Sequence, residues 1–280
     1  MFEKIIISSE PSSEEHDITE CLKGLKKLGT EKCLLLYCLD PSEGGAKISS
    51  FYQKTLESYA EKQKVILESQ GYEVEKSVDF GEADDEVNML ARDYDYSLVV
   101  VGGTIQSIIR EKFLGGMEYK IIHHSRIPVL VVRISKAYED ELLTERCQIA
   151  DHVLFPTDFS NNSKEAFRLI LEMVKSGVKK VSLVHVAERN IADESKREIM
   201  EKLQGFEMEL IKSGAEKVEV KILHGEPSDE IIGYTEESDA TLVVMGSQGR
   251  GFLQEIFIGS VSHDLVRRSP VSVLLVPAKR

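Results

Sequence analysis

The chain repeats itself. Residues 98–103 read Leu-Val-Val-Val-Gly-Gly and residues 242–247 read Leu-Val-Val-Met-Gly-Ser, a displacement of 144 positions. At the same displacement Gly81-Glu82-x-x-Asp85-Glu86 matches Gly225-Glu226-x-x-Asp229-Glu230. Asp95 likewise matches Asp239, and Gly115 matches Gly259. One displacement shared by several motifs marks a duplicated domain, because solenoid repeats recur at roughly 20–50 residues. The 280 residues therefore divide into two units of ordinary size, expected at 1–135 and 150–280. The charged stretch from Ser135 to Ile149 has no strand pattern and reads as the connector.

Each copy alternates short apolar runs with amphipathic stretches. In the second, His152–Pro156, Val181–Val186, Val218–Leu223, Thr241–Met245 and Val271–Val276 read as strands. Between them, Asn162–Lys175 places Ala166, Phe167, Leu169, Ile170, Met173 and Val174 at helical spacing. Glu194–Gly214, Ser228–Glu237 and the stretch from Gly259 to Arg268 read as further helices. The first copy has the same order, with strands expected near 4–8, 33–38, 73–78, 97–101 and 129–133. Strands interleaved with helices imply an α/β fold. Each unit is expected to be a five-stranded parallel sheet covered by helices on both faces. The valine- and leucine-rich closing strands, Val129–Val132 and Val271–Val276, offer flat apolar edges suited to pairing with each other.

Several function classes are disfavoured. The net charge of −13 argues against nonspecific nucleic-acid or anionic-membrane binding. No apolar run approaches a membrane span, and the start lacks a signal-peptide pattern, so a cytoplasmic protein is expected. Cys21, Cys33, Cys38 and Cys147 form no C-x-x-C and read as small core residues in a reducing compartment. The seven histidines do not cluster at ligand spacing, so no metal site is expected. Gly24 and Gly29 have P-loop spacing, but Thr30 stands where lysine must be.

The chemistry lies after the strand ending at Met245. The order there is Gly246-Ser-Gln-Gly249-Arg250-Gly251, then Gly259-Ser260-Val261-Ser262 opening a helix. Glycines let backbone approach an anion closely or take positive φ. A loop feeding a helix N-terminus aims unpaired N–H groups at that anion. Ser260 and Ser262 would add hydroxyl donors.

The pattern Gly246-x-x-Gly249-x(9)-Gly259-Ser260 resembles the nucleotide-binding signature of ATP-binding universal stress proteins. Val153-Leu-Phe-Pro156-Thr-Asp158-Phe-Ser160, His185-Val186 and His224-Gly225-Glu226-Pro227 fit the same family. The resemblance implies a regulatory protein linked to stress responses that binds ATP, or ADP or AMP, with a divalent cation carried by the phosphates as an option. It also implies two-fold assembly through the last strand: a pseudo-dimer of halves, with a homodimer of chains as a further option. Asp158 matches the acidic residue expected at the ribose, though Asp also makes a plain helix cap. Val186 matches the residue whose backbone meets adenine. Pro156 and Met245 match apolar walls. Gly246, Gly249, Gly259, Ser260, Val261 and Ser262 match the phosphate side, with Arg250 in the loop beside them. Core packing, or solvation for Arg250, accounts for several of these residues equally well.

No general base and no phosphate-binding lysine accompany the motif, so no catalytic residue is assigned. Phosphoryl transfer ordinarily needs such groups. A nucleotide-dependent binding module is the expectation; a slow ATPase and a nucleotide-free dimerisation scaffold are the alternatives. The first copy is expected to be degenerate. Ile105 replaces Gly249, Gly116 replaces Ser260, Glu118 replaces Ser262, and Glu10 stands near the Asp158 position. A carboxylate at 118 is expected to face the phosphates and repel them.

Overall fold

A computed structural model describes residues 1–8, 18–39, 50–104, 117–134, 149–249 and 258–278. In the first half the strands are β1 (Lys4–Ser8), β2 (Lys32–Leu39), β3 (Glu73–Phe80), β4 (Leu98–Thr104) and β5 (Val129–Ile134). Between β1 and β2 runs a 3-10 helix, Ile18–Leu28, and later come α1 (Ser50–Ser69), α2 (Ala83–Tyr94) and α3 (Met117–His124). The second half has β6 (His152–Pro156), α4 (Asn161–Lys175), β7 (Lys180–Ala187), α5 (Asp193–Ser213) and β8 (Lys217–His224). It ends with α6 (Pro227–Glu237), β9 (Leu242–Gly246), α7 (Ser260–Arg268) and β10 (Ser272–Val276).

The two five-stranded sets join into one sheet of order β3-β2-β1-β4-β5-β10-β9-β6-β7-β8. Within each set all pairings are parallel. The exception is the junction, where β5 and β10 pair antiparallel, with Val131 opposite Val273, Leu130 opposite Leu274 and Val129 opposite Leu275. All six side chains are buried. Fully burying a valine or leucine is worth about 1.5–3 kcal/mol. The outer edges are treated differently. Strand β3 carries Glu73, Glu75, Lys76 and Asp79, and β8 carries Lys217, Glu219 and Lys221. Charges of this kind on an edge discourage further strand pairing.

Alternation along the strands divides the core between two faces. Leu130, Val132, Leu274 and Val276 point to the face covered by the 3-10 helix, α1, α4 and α5. Val129, Val131, Val273 and Leu275 point to the face covered by α2, α3, α6 and α7. Each apolar layer runs across both halves without a break at the junction. Where the chain enters the second half it lies along the 3-10 helix. A Cβ added to Gly24 would come 2.8 Å from the Ile149 carbonyl oxygen, and Lys27 pairs with Asp151 at 3.0 Å.

The cysteine expectation needs correction. Cys33 and Cys38 are free, and burial pushes both thiols up to about 12, which leaves them unreactive. Cys21, however, is disulfide-bonded. Its position on the 3-10 helix, one turn from the Gly24–Ile149 contact, is a tertiary feature that no sequence spacing announces. Among the described residues no helix is long and apolar enough to cross a membrane.

Two histidines tie the fold to pH. His123, half-buried on α3, packs at a tilt against Tyr119 with ring centroids 4.0 Å apart and lies 6.5 Å from His263 of α7. Burial, then His263 and His124, lower its pKa to about 4. Burial, then Lys180, lowers that of His152 as well. An unfolded histidine titrates near 6.5, so the unfolded chain binds more protons than the folded chain below that pH. This stabilising contribution is complete above about pH 6.5 and is lost as pH falls towards 4. Urea midpoints measured from pH 7 to pH 4 should therefore fall, and His123→Phe should flatten part of that decline. A variant whose pH profile parallels wild type would contradict the assignment.

Candidate functional site

In the second half the chain runs β6 to β7 to β8 in one direction and then crosses back to β9 on the other side of β6. Ligands in parallel sheets bind beyond the carboxyl ends of strands at such a reversal. Here the reversal is open. Strands β6 and β9 pair only at Val153 with Leu242 and Leu154 with Val243. Their remaining residues, Phe155–Pro156 and Val244–Gly246, part company. Pro156 has no N–H to extend the ladder. The first half differs: β1 and β4 stay paired over four positions, through Ser8 with Val101.

Two segments meet at the mouth of this gap. The first follows β6. Thr157 donates its N–H to the Val184 carbonyl at 2.8 Å, and its hydroxyl bonds the Ser163 hydroxyl at 2.6 Å. Phe159 then takes φ 61°, an uncommon left-handed conformation for a bulky residue. Its ring stacks on His185 at 4.9 Å, and His185 Nδ1 lies 2.7 Å from the Thr157 carbonyl oxygen. Lys202 lies over the Phe159 ring at 5.6 Å. These contacts hold a turn that faces Asp158 towards the glycine segment. Ser160, not Asp158, caps α4, accepting from Ser163 N–H at 3.1 Å. Asp158 Oδ1 accepts from Ser160 N–H at 3.0 Å.

The second segment is the glycine turn after β9. A Cβ built on Gly249 would stand 3.0 Å from Asp158 Oδ2, so any larger residue there would press on the carboxylate that lies against this backbone. A Cβ on Gly246 would stand 2.9–3.0 Å from the Asn162 amide and main-chain carbon. Neither glycine has positive φ. Their role is close approach, and the option of left-handed backbone is not used at this turn. The Ser247 N–H donates to Val276 at 2.8 Å, and the Gly259 N–H donates to Ser247 at 2.7 Å, closing the neck of the loop.

Helix α7 starts at this neck. Its N-cap, Gly259, offers no side chain, so no side-chain cap covers the first-turn N–H groups of Ser260, Val261 and Ser262. The two serines differ. Ser260 is exposed at the helix start, whereas Ser262 is buried and donates its hydroxyl to the Gly246 carbonyl at 3.0 Å. Ser262 is thus a latch between helix and strand, and its hydroxyl is not presented to a ligand as expected. The expectation built on Glu118 changes with it: Glu118 replaces an inward-facing latch and is half-exposed on α3.

Pro156, Met245 and Val186 lie at the carboxyl ends of three neighbouring strands, β6, β9 and β7. Pro156 and Met245 are buried and Val186 is half-buried. Asp158, Gly246, Gly249, Gly259, Ser260, Val261 and Ser262 gather around the same opening. Arg250 lies outside the described residues, as do Glu10, Ile105, Gly115 and Gly116.

Sequence reasoning missed Asn162. Its Nδ2 reaches the Gln248 carbonyl at 3.3 Å and Ser247 Oγ at 3.5 Å, pinning the glycine turn to α4. Its Oδ1 is buried with no hydrogen-bond partner. A signal was available. Asn162, Ala166 and Ile170 fall on one helical stripe facing the core, and a polar residue on such a stripe is informative. In the first half the corresponding close neighbour is apolar: a Cβ on Gly102 would meet the Ile18 Cγ2 methyl at 2.9 Å.

The universal stress protein family model matches residues 1–133 and again 150–277. The chain belongs to the universal stress protein family. It is a tandem member, with the family domain present twice. Universal stress protein MJ0577 of Methanocaldococcus jannaschii is 31% identical over 156 residues, covering 45% of this chain and 94% of its own. A universal stress protein from Archaeoglobus fulgidus matches the whole architecture, with TM-score 0.74 and 24% identity over 98% of this chain and 95% of its own. A universal stress protein solved in complex with cAMP matches 45% of this chain and 96% of its own, at 24% identity and TM-score 0.37.

The packing at Gly246 makes a direct prediction. Gly246→Ala forces the start of α4 away from β9 and should destabilise the chain by about 1–3 kcal/mol, the range for overpacking a tight contact. An unchanged denaturation midpoint would show that the contact is not tight.

Proposed function

We propose that the second half binds ATP, or its ADP or AMP forms, and that the chain is a nucleotide-dependent regulatory module. One observation carries this: where β6 and β9 part, Asp158, the Gly246–Gly249 turn and the uncapped start of α7 face one opening. A carboxylate suits two ribose hydroxyls. Unpaired N–H groups at a helix start suit phosphate. In this assignment the phosphates lie over Ser260, Val261 and Ser262, and Arg250 screens their charge. A divalent cation rides on the phosphates. The main chain at Val186 meets adenine between Pro156 and Met245.

The first half, taken as residues 1–135, is assigned no nucleotide. The closed β1–β4 pairing and the Ile18 methyl against Gly102 support that asymmetry. The second unit, 150–280, carries the site. Closing-strand pairing is already satisfied within one chain, so self-association between chains is not required by it. The net charge of −13 fits a small-molecule ligand better than nucleic acid.

Protein purified without added nucleotide, then denatured, should release adenine nucleotide. Gly249→Val drives a branched side chain into the Asp158 carboxylate and should abolish binding. A folded variant that binds ATP as tightly as wild type would overturn the assignment. Turnover should stay well below the ordinary enzyme range of about 1 per second or faster. A faster steady-state rate from a preparation free of contaminating ATPase would make the protein an enzyme.

A further inference from the structure

Arg133 lies next to the end of β5 in the first half and is only 8% exposed. Its main-chain N–H donates to Ser272 Oγ at 3.2 Å, across the junction. Its Nη2 donates to the Leu265 carbonyl at 3.5 Å. Nε and Nη1 are buried without a partner. Burial brings the guanidinium down to about 10. A buried cation in this condition is a poor stabiliser, and replacing it with an apolar side chain of similar volume is often neutral or favourable. Stability alone therefore does not account for it.

Its location suggests what does. Leu265 lies in the last turns of α7, and the same carbonyl also accepts from Ser269 N–H at 2.9 Å. Carbonyls at a helix C-terminus carry partial negative charge and favour a cation. The other end of this nine-residue helix is the Gly259–Ser262 start. So short a helix owes its placement to packing, not to its own propensity. The first half also touches it elsewhere, where His123 lies beside His263.

We propose that Arg133 is a positioning residue for the nucleotide site: the first half holds the C-terminal end of α7 and thereby aims its N-terminal N–H groups at the phosphates of a nucleotide bound in the second half. The half without a nucleotide is then a working part of the half that binds one. This inference rests on the function proposed above.

The test uses the full chain, ATP titrated by calorimetry, and thermal denaturation of the same samples. Arg133→Met should leave the melting temperature unchanged or raise it, while weakening ATP binding about tenfold. Arg133→Lys keeps the charge and a donor and should recover most of the affinity. Equal affinity in Arg133→Met and wild type overturns the positioning role. So does a loss of affinity that only accompanies a lowered melting temperature, because that marks a structural role. Hydrogen exchange of wild type keeps the idea testable if Arg133→Met does not fold. By reciprocity of coupling, ATP should slow exchange in the segment 129–134, and no change there overturns the proposal. If wild type binds no ATP, the site assignment itself fails and the positioning role fails with it.

Discussion

The antiparallel seam between β5 and β10 is the constraint on which the rest of the molecule depends. Each half ends on a strand of valine and leucine that cannot face water on its free edge. Pairing the two strands removes both edges at once and leaves the sheet bounded by the charged strands β3 and β8. Because the pairing is antiparallel, the carboxyl end of β5 lies beside the amino end of β10. That geometry places Arg133 next to Ser272 and the end of α7. It also sets α3 and α7 side by side on one face, with His123 and His263 between them. The duplication therefore yields a single body whose two halves touch through named side chains.

Within that body the halves have diverged by small steric choices at one level of the sheet. In the second half, Pro156 and the early parting of β6 from β9 leave a gap. Three close approaches then organise its rim: Asp158 against Gly249, Asn162 against Gly246, and Ser262 against the Gly246 carbonyl. Each needs the absence of a Cβ or the presence of a short polar group. In the first half, Ser8 remains paired with Val101, and a methyl of Ile18 lies where the pinning amide stands in the second. An open polar rim suits an anionic ligand, and among the described residues of the first half the matching contact is the apolar one between Ile18 and Gly102.

Much of this was legible in the sequence. The alternation of Leu-Val-Val-Met and its counterpart with helical stretches defined the ten strands, and the valine-rich ends announced the seam. The residues around Gly246 and Gly259 stood out because glycine and serine were concentrated at a strand-to-helix junction, and the structure brings them around one opening. What escaped notice depends on three-dimensional neighbours. Ser262 looked like a ligand donor because its hydroxyl direction is set by the Gly246 carbonyl, which no spacing reveals. Asn162 passed as an ordinary polar residue although it lay on the apolar stripe of α4. Cys21 had no sequence partner at a telling interval, and Arg133 looked like the polar end of a strand. For Ser262, Asn162 and Arg133 the deciding contact spans more than fifteen residues.

The account stands on asymmetry: one chain, two family domains, one nucleotide. Native mass spectrometry of the intact chain in excess ATP measures that directly. The predicted spectrum shows a single added nucleotide per chain that does not increase with further ATP. Two nucleotides per chain at saturation, or none, would contradict the account.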